Sequence, residues 1–181
     1  MKTIITVIFV GILTYTVAQR CPNVPSPMKN LNVNEFFNGA WYTTHMKDAA
    51  NSATCRTYKF RVLPGGVELT YEGYIMDGGF RKDYNVICSS KDQQVNPSAS
   101  VPFKCAQKYK TGNEFFDLTL TVIYADKDYG FVHRCIKFDE ESTYSGFFLL
   151  LHRDKNADGS KAAKSLTANK LDLKSFKKYN C

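Results

Sequence analysis

Beyond residue 18 the sequence has no apolar run approaching the roughly 20 residues that a membrane-spanning helix needs. Among 181 residues there are one tryptophan and three histidines. The cysteines form no CxxC pair and do not cluster with histidine, which argues against a structural zinc site. There is no G-x-S-x-G stretch and no Cys/His nucleophile signature, so the sequence reads as that of a non-enzyme. No asparagine stands in an N-x-Ser/Thr sequon, so N-linked glycans are not expected. No motif repeats at a fixed period, which excludes solenoids and propellers. No nucleic-acid-binding module is recognisable, and nucleic acid is not an expected partner.

What is present begins with "IITVIFVGIL", a short apolar core behind Lys2 and ahead of the small-residue stretch Thr16-Val17-Ala18. This reads as a secretory signal peptide over residues 1–18, with a single domain over 19–181. Six cysteines follow it: Cys21, Cys55, Cys88, Cys105, Cys135 and Cys181. An even number in an oxidising compartment predicts three disulfides and no free thiol, although spacing alone does not choose the pairing. The formal net charge of +7 serves solubility or, equally, attracts anionic partners such as vessel surfaces, acidic proteins or small anions.

Between residues 40 and 153 short runs rich in Thr, Val, Tyr and Phe alternate with Gly, Asn, Asp and Pro clusters. The runs are "AWYTTHM", "CRTYKFRV", "VELTYEGYI", "DYNVICS", "PFKCAQKY", "EFFDLTLTVIYA", "GFVHRCIKF" and "SGFFLLLHR". Eight strands joined by breaks such as "LPGG", "DGG" and "KTGN" predict an all-β antiparallel sandwich or barrel. The tail differs. Asp158 or Ser160 caps an expected helix to about Ala168, with Ala162, Ala163 and Leu166 on its apolar side. "KLDLKSF" then alternates like one more strand. "FFLLL" at 147–151 is apolar at both parities, so one face needs a cover, which the helix supplies from outside.

Gly39-x-Trp41 heading the first strand, "YADKDYGFV" between the sixth and seventh, and Arg153 closing the eighth resemble the three lipocalin signatures. That resemblance implies an eight-stranded antiparallel calycin barrel with a C-terminal α-helix packed outside. It also implies a floor in which Arg153 lies across Trp41 in a cation–π contact. More narrowly, "EFFNGAWYTTH", Cys55 opening the second strand, "VIYADKDYGFVHRC" and "LLLHRDKNADGSK" resemble salivary lipocalins of blood-feeding triatomine bugs, in their triabin- and pallidipin-like branch. The resemblance implies the pairs Cys21–Cys135 and Cys55–Cys181, with Cys88–Cys105 as the pair of the triabin-type branch. It leaves open the order of the first four strands. Haem-binding members of the group carry a mid-barrel histidine that "VELTYEGYIMDGG" and "DYNVIC" lack, so haem is disfavoured and no cofactor is expected.

Alternation along each strand then assigns the wall of the cup. With Trp41 inward, Thr43 and His45 follow it, His45 nearest the mouth. Arg56, Tyr58 and Phe60 line the second strand, Tyr71 the third, Leu118, Leu120 and Tyr124 the sixth. Cys135 must face out to reach Cys21, so Arg134, Ile136 and Phe138 face in; Phe147 completes the wall. For the two arginines the alternatives are a snorkelling Arg56 at the strand end and a bulge that turns Arg134 outward. If both face in, they suit an anionic head group in an apolar cup. The resemblance implies a monomeric protein secreted in saliva that blunts host haemostasis by sequestering a small agonist. An eicosanoid such as thromboxane is favoured, then a nucleotide such as ADP, then a biogenic amine held by Asp48. The alternative is an inhibitor of thrombin or contact-phase coagulation factors acting through loops or the basic tail, whose Lys161, Lys164, Lys170, Lys174, Lys177 and Lys178 form an outer face.

Overall fold

The structure is a computed structural model and describes residue 21 and residues 24–50, 53–90, 99–139 and 144–181. The expected signal peptide lies outside the described residues. A four-residue helix α1 (Val33–Phe36) leads into β1 (Gly39–Lys47), β2 (Thr57–Leu63), β3 (Gly66–Asp77) and β4 (Phe80–Ser89). Then come β5 (Ser100–Tyr109), β6 (Gly112–Ala125), β7 (Tyr129–Lys137) and β8 (Ser145–His152). Helix α2 (Ala163–Ala168) and the two-residue strand β9 (Lys177–Lys178) complete the chain.

Each strand pairs antiparallel with the next from β1 to β8, and β8 returns to β1, which closes the barrel. The first four strands thus run in simple sequential order. Alternation drives this arrangement: along β5 the residues Val101, Phe103, Cys105 and Gln107 are buried, while their neighbours Pro102, Lys104 and Lys108 are exposed. The inward side chains form one continuous apolar core. All three disulfides follow the pattern that the resemblance implied: Cys21–Cys135, Cys55–Cys181 and Cys88–Cys105. The last bridges directly opposed residues of β4 and β5 inside the barrel.

A second, smaller apolar cluster lies outside the wall. Ile123, Phe131 and Leu150 point outward and are covered by Ala162, Leu166 and Phe176 of the C-terminal segment. The cover needed by "FFLLL" is therefore present, with two changes of detail. Ser165 rather than Ala163 shares the buried face of α2, and Ala163 is exposed. "KLDLKSF" is a turn of 3₁₀ helix over Leu173–Ser175, capped by Asp172, and the strand follows it as β9 against His45 and Met46. Every lysine of the tail named above is exposed.

Candidate functional site

The closed end of the barrel explains the tryptophan. Asn32 caps α1 by accepting from the Glu35 amide at 3.3 Å, and the helix delivers Phe36 and Phe37 beneath the barrel. Gly39 turns the chain into β1 with φ of 73°, a left-handed conformation that favours glycine. Trp41 follows, fully buried, its Nε1 donating to the Phe36 carbonyl at 2.8 Å. Arg153 sits over the indole, 3.7 Å from Cζ to the ring centroid, and donates to the carbonyls of Ala40 at 2.8 Å and Glu35 at 2.9 Å. The floor is sealed by a cation that a π face and two carbonyls satisfy.

Above that floor the interior becomes polar in a particular way. Arg134, on β7, is 4% exposed and donates from Nη2 to the Tyr71 hydroxyl at 2.7 Å. Its Cζ lies 5.7 Å from the Tyr71 ring centroid and 5.2 Å from that of Phe147. Arg56 reaches the same ring from the opposite wall, at 5.5 Å, and donates from Nη2 to the Tyr84 hydroxyl at 2.8 Å. Thr43 fixes Arg56 at the mouth: its hydroxyl accepts from the Arg56 amide at 2.7 Å, and its own amide donates to the Arg56 carbonyl at 2.9 Å. Gly73 makes room for this, because a Cβ there would fall 2.4 Å from the Tyr84 hydroxyl.

Two guanidinium groups therefore share one phenol ring, and no carboxylate among the described residues pairs with either. Nor is the phenol itself a counterion. Burial pushes the Tyr71 hydroxyl up to about 12, with Arg134 pulling the other way, so it stays neutral at physiological pH. Arg56 Nε and Arg134 Nε are buried without a hydrogen-bond partner. Buried polar groups are ordinarily paired and buried charges ordinarily compensated. Here each guanidinium bonds one phenol and leaves its Nε unpaired, and Arg134 is buried without an opposite charge beside it.

The sequence places Tyr58, Phe60, Leu118, Leu120, Ile136 and Phe147 on this wall, and the structure has them against the interior core beside Arg56, Tyr71 and Arg134. Two expected wall residues point the other way. The register of β1 shifts between Thr43 and His45, so Met46 takes the interior place and His45 turns outward. A second shift between Val122 and Tyr124 turns Tyr124 out onto Tyr129, at 5.2 Å between ring centroids. One inserted residue exchanges the faces of everything beyond it. Phe138 lies past the end of β7, exposed beside Phe116. Tyr84, Gln107 and Tyr109 join the interior from β4 and β5, with Gln107 donating to the Tyr109 hydroxyl. The inward-facing pair Cys88–Cys105 carries the parity signal that places them.

Outside the wall, the bulge in β1 builds a relay. The Thr44 hydroxyl lies 2.9 Å from His45 Nδ1 and 2.7 Å from His152 Nδ1. One hydroxyl proton can serve only one of the two rings, so Thr44 donates to one Nδ1 and accepts from the other, which suits two neutral imidazoles. Burial, with the neighbouring His45 adding to it, drops His152 to about 4. His133 packs against Phe148, also outside the barrel, and its ring and the Cys21 sulfur both close on Gly146, where a Cβ would meet them at 2.9 and 3.1 Å. All three histidines thus lie on the outer side, and none offers an axial ligand to a haem in the cup. Asp48, the loop carboxylate suited to an amine, pairs instead with Lys47 at 2.7 Å and is half exposed.

Comparison with known proteins gives a consistent picture. The family model described as Triabin matches residues 14–166. Triafestin-1 of Triatoma infestans is 34% identical over 98% of this chain and 90% of its own length. Triabin of Meccus pallidipennis is 28% identical over 86% of this chain and 94% of its own. Among solved structures, the amine binding protein of Rhodnius prolixus in its tryptamine complex superposes with a TM-score of 0.66 at 20% identity, covering 88% of this chain and 85% of that one. A point mutant of LTBP1 in complex with leukotriene C4 superposes at 0.62 with 22% identity, covering 86% of this chain and 91% of that one.

Proposed function

The chain belongs to the triabin family of lipocalins, and from that premise we propose that it is secreted after loss of residues 1–18 and sequesters a small anionic amphiphile inside its barrel. Members of this family bind ligands or inhibit other proteins and are not enzymes. One solved neighbour of the same fold holds leukotriene C4 and another holds tryptamine. The fold therefore accommodates an anionic lipid or a cationic amine, and the charge inside the cup has to discriminate. The observation that carries the reading is the pair Arg56 and Arg134 on one neutral tyrosine without a carboxylate.

An eicosanoid such as thromboxane suits this site best. Its carboxylate accepts a forked pair of N–H donors, and its chain replaces contacts along Phe60, Leu118, Leu120 and Phe147. A nucleotide such as ADP is second, since its phosphates satisfy the same donors while its ribose gains less from the apolar wall. An amine is opposed by both arginines. Scavenging in saliva would remove a host haemostatic agonist by stoichiometry, without catalysis.

The test is isothermal titration of the refolded protein with a stable thromboxane analogue, leukotriene C4, ADP and tryptamine, alongside thrombin and contact-phase factors. Tight one-to-one binding of a carboxylate lipid with none of tryptamine is the expected result. Binding of tryptamine alone, or of a clotting factor alone, rules the proposal out.

A further inference from the structure

The chain covers its outward apolar residues on one side of the barrel and leaves them bare on the other. On β6, β7 and β8 the residues Ile123, Phe131 and Leu150 lie under the C-terminal segment. Across the wall formed by β4, β5 and β6 no such cover exists among the described residues. There Phe115 is 68% exposed and Ile87 is 37% exposed. These two, with Pro102, Ala106 and Tyr144, line a trough of about 660 Å³ on the outer surface. A shallower hollow continues it past Phe115 to Phe138.

The rim is basic. Lys104 crosses the floor to pair with Asp117 at 2.7 Å, which neutralises both. Lys108 has no ion pair among the described residues, and Lys137 rests 5.3 Å from the Tyr144 ring with none either. Aromatic anchors ringed by polar groups are the usual composition of a protein-recognition surface.

We propose that this trough docks a segment of a protein partner in which an aromatic or aliphatic anchor is flanked by carboxylates. Its shape and charge exclude the other occupants. The trough is open along its length, so a small molecule in it would keep much of its own surface in water, unlike ligands in true pockets. A second copy of the chain would set one basic rim against another across a two-fold axis. A bilayer meets convex tips, whereas Phe115 lies along a concavity in the side of the barrel. An acidic extended segment places its anchor between Ile87 and Phe115 and its carboxylates against Lys108 and Lys137. The site is independent of the interior cup, so one can be occupied or lost without the other.

The experiment is panning of a phage-displayed library of random peptides, about twelve residues long, against the disulfide-bonded protein. Enriched peptides should carry Phe, Tyr or Leu beside Asp or Glu. Their affinity, measured by fluorescence polarisation, should fall at least about tenfold with Phe115→Ser and at least about threefold with Lys108→Glu. Arg134→Met, an interior change, should leave peptide affinity intact, and Phe115→Ser should leave titration with the thromboxane analogue intact. Phe115 is mostly solvent-exposed, so its replacement by serine keeps the fold, which thermal melting verifies. No enrichment, enrichment of basic peptides, or peptides indifferent to both substitutions would overturn the proposal. So would Phe115-dependent binding to phosphatidylserine vesicles, or a dimer in sedimentation that Phe115→Ser dissolves.

Discussion

Arg134 concentrates the energetic argument in one side chain. A buried guanidinium that pairs only with a phenol carries a desolvation cost that the free protein does not recover; under the proposed function a bound carboxylate would offset it. Replacing it therefore separates binding from stability. Arg134→Met should weaken binding of the thromboxane analogue by about 2–5 kcal/mol, the usual consequence of truncating one partner of a buried charge pair. The same change should alter folding stability by no more than about 2 kcal/mol, because the lost hydrogen bond to Tyr71 and the removed buried charge act in opposite directions. Arg56→Lys should restore only part of the binding that Arg56→Ala removes, since an ammonium lacks the paired fork. Titration and thermal melting on the same variants check all three. A parallel loss of stability and affinity in Arg134→Met would recast Arg134 as a purely structural residue. Both arginines were legible from alternation along their strands. Tyr84, the phenolic partner of Arg56, follows from the phase of β4 only once Cys88 is known to face inward, a direction that the fold supplies.

At the scale of elements, eight strands and a covering helix follow from composition and turn signals, and alternation is kept along β5 and over part of β2, β3 and β4, whereas β7 is buried on both faces under the C-terminal segment. Legibility stops where alternation does. The register shifts in β1 and β6 carry no distinctive residue, and they exchange the expected faces of His45 and Tyr124. The shift in β1 also gives the C-terminal segment its pH dependence. His152 is held near 4 against an ordinary 6.5, first by burial and then by His45, while Asp158, Asp126 and Asp154 pull it upward. His45 is lowered too, by burial and by Lys178, against Asp158. The unfolded chain therefore binds more protons than the folded one between about pH 4 and 6.5, and stability must rise with pH across that window. The His152 share is present above pH 6.5 and lost as pH falls towards 4. Denaturant melts between about pH 4 and 7 measure this, and His152→Gln should flatten the slope. An unchanged slope would show that the ring is solvated in solution.

For the whole molecule, the three disulfides do more than each stabilises locally. Removing the Cys55–Cys181 pair by double serine substitution should cost about 2–4 kcal/mol, as for other long-loop crosslinks, measured by denaturant melting. It should also loosen Arg56, whose backbone follows Cys55 directly into the cup. The bridges Cys21–Cys135 and Cys55–Cys181 enclose overlapping stretches of chain, one starting before the other ends. Together they span every peptide bond from residue 21 to residue 181, so no single cut in that interval can separate the molecule into two pieces. A protease that nicks an exposed hairpin tip, such as Gly78-Gly79, opens a ring and releases nothing. Cleavage of the chain and separation of its pieces are thus different events, the second requiring another cut or a reductant.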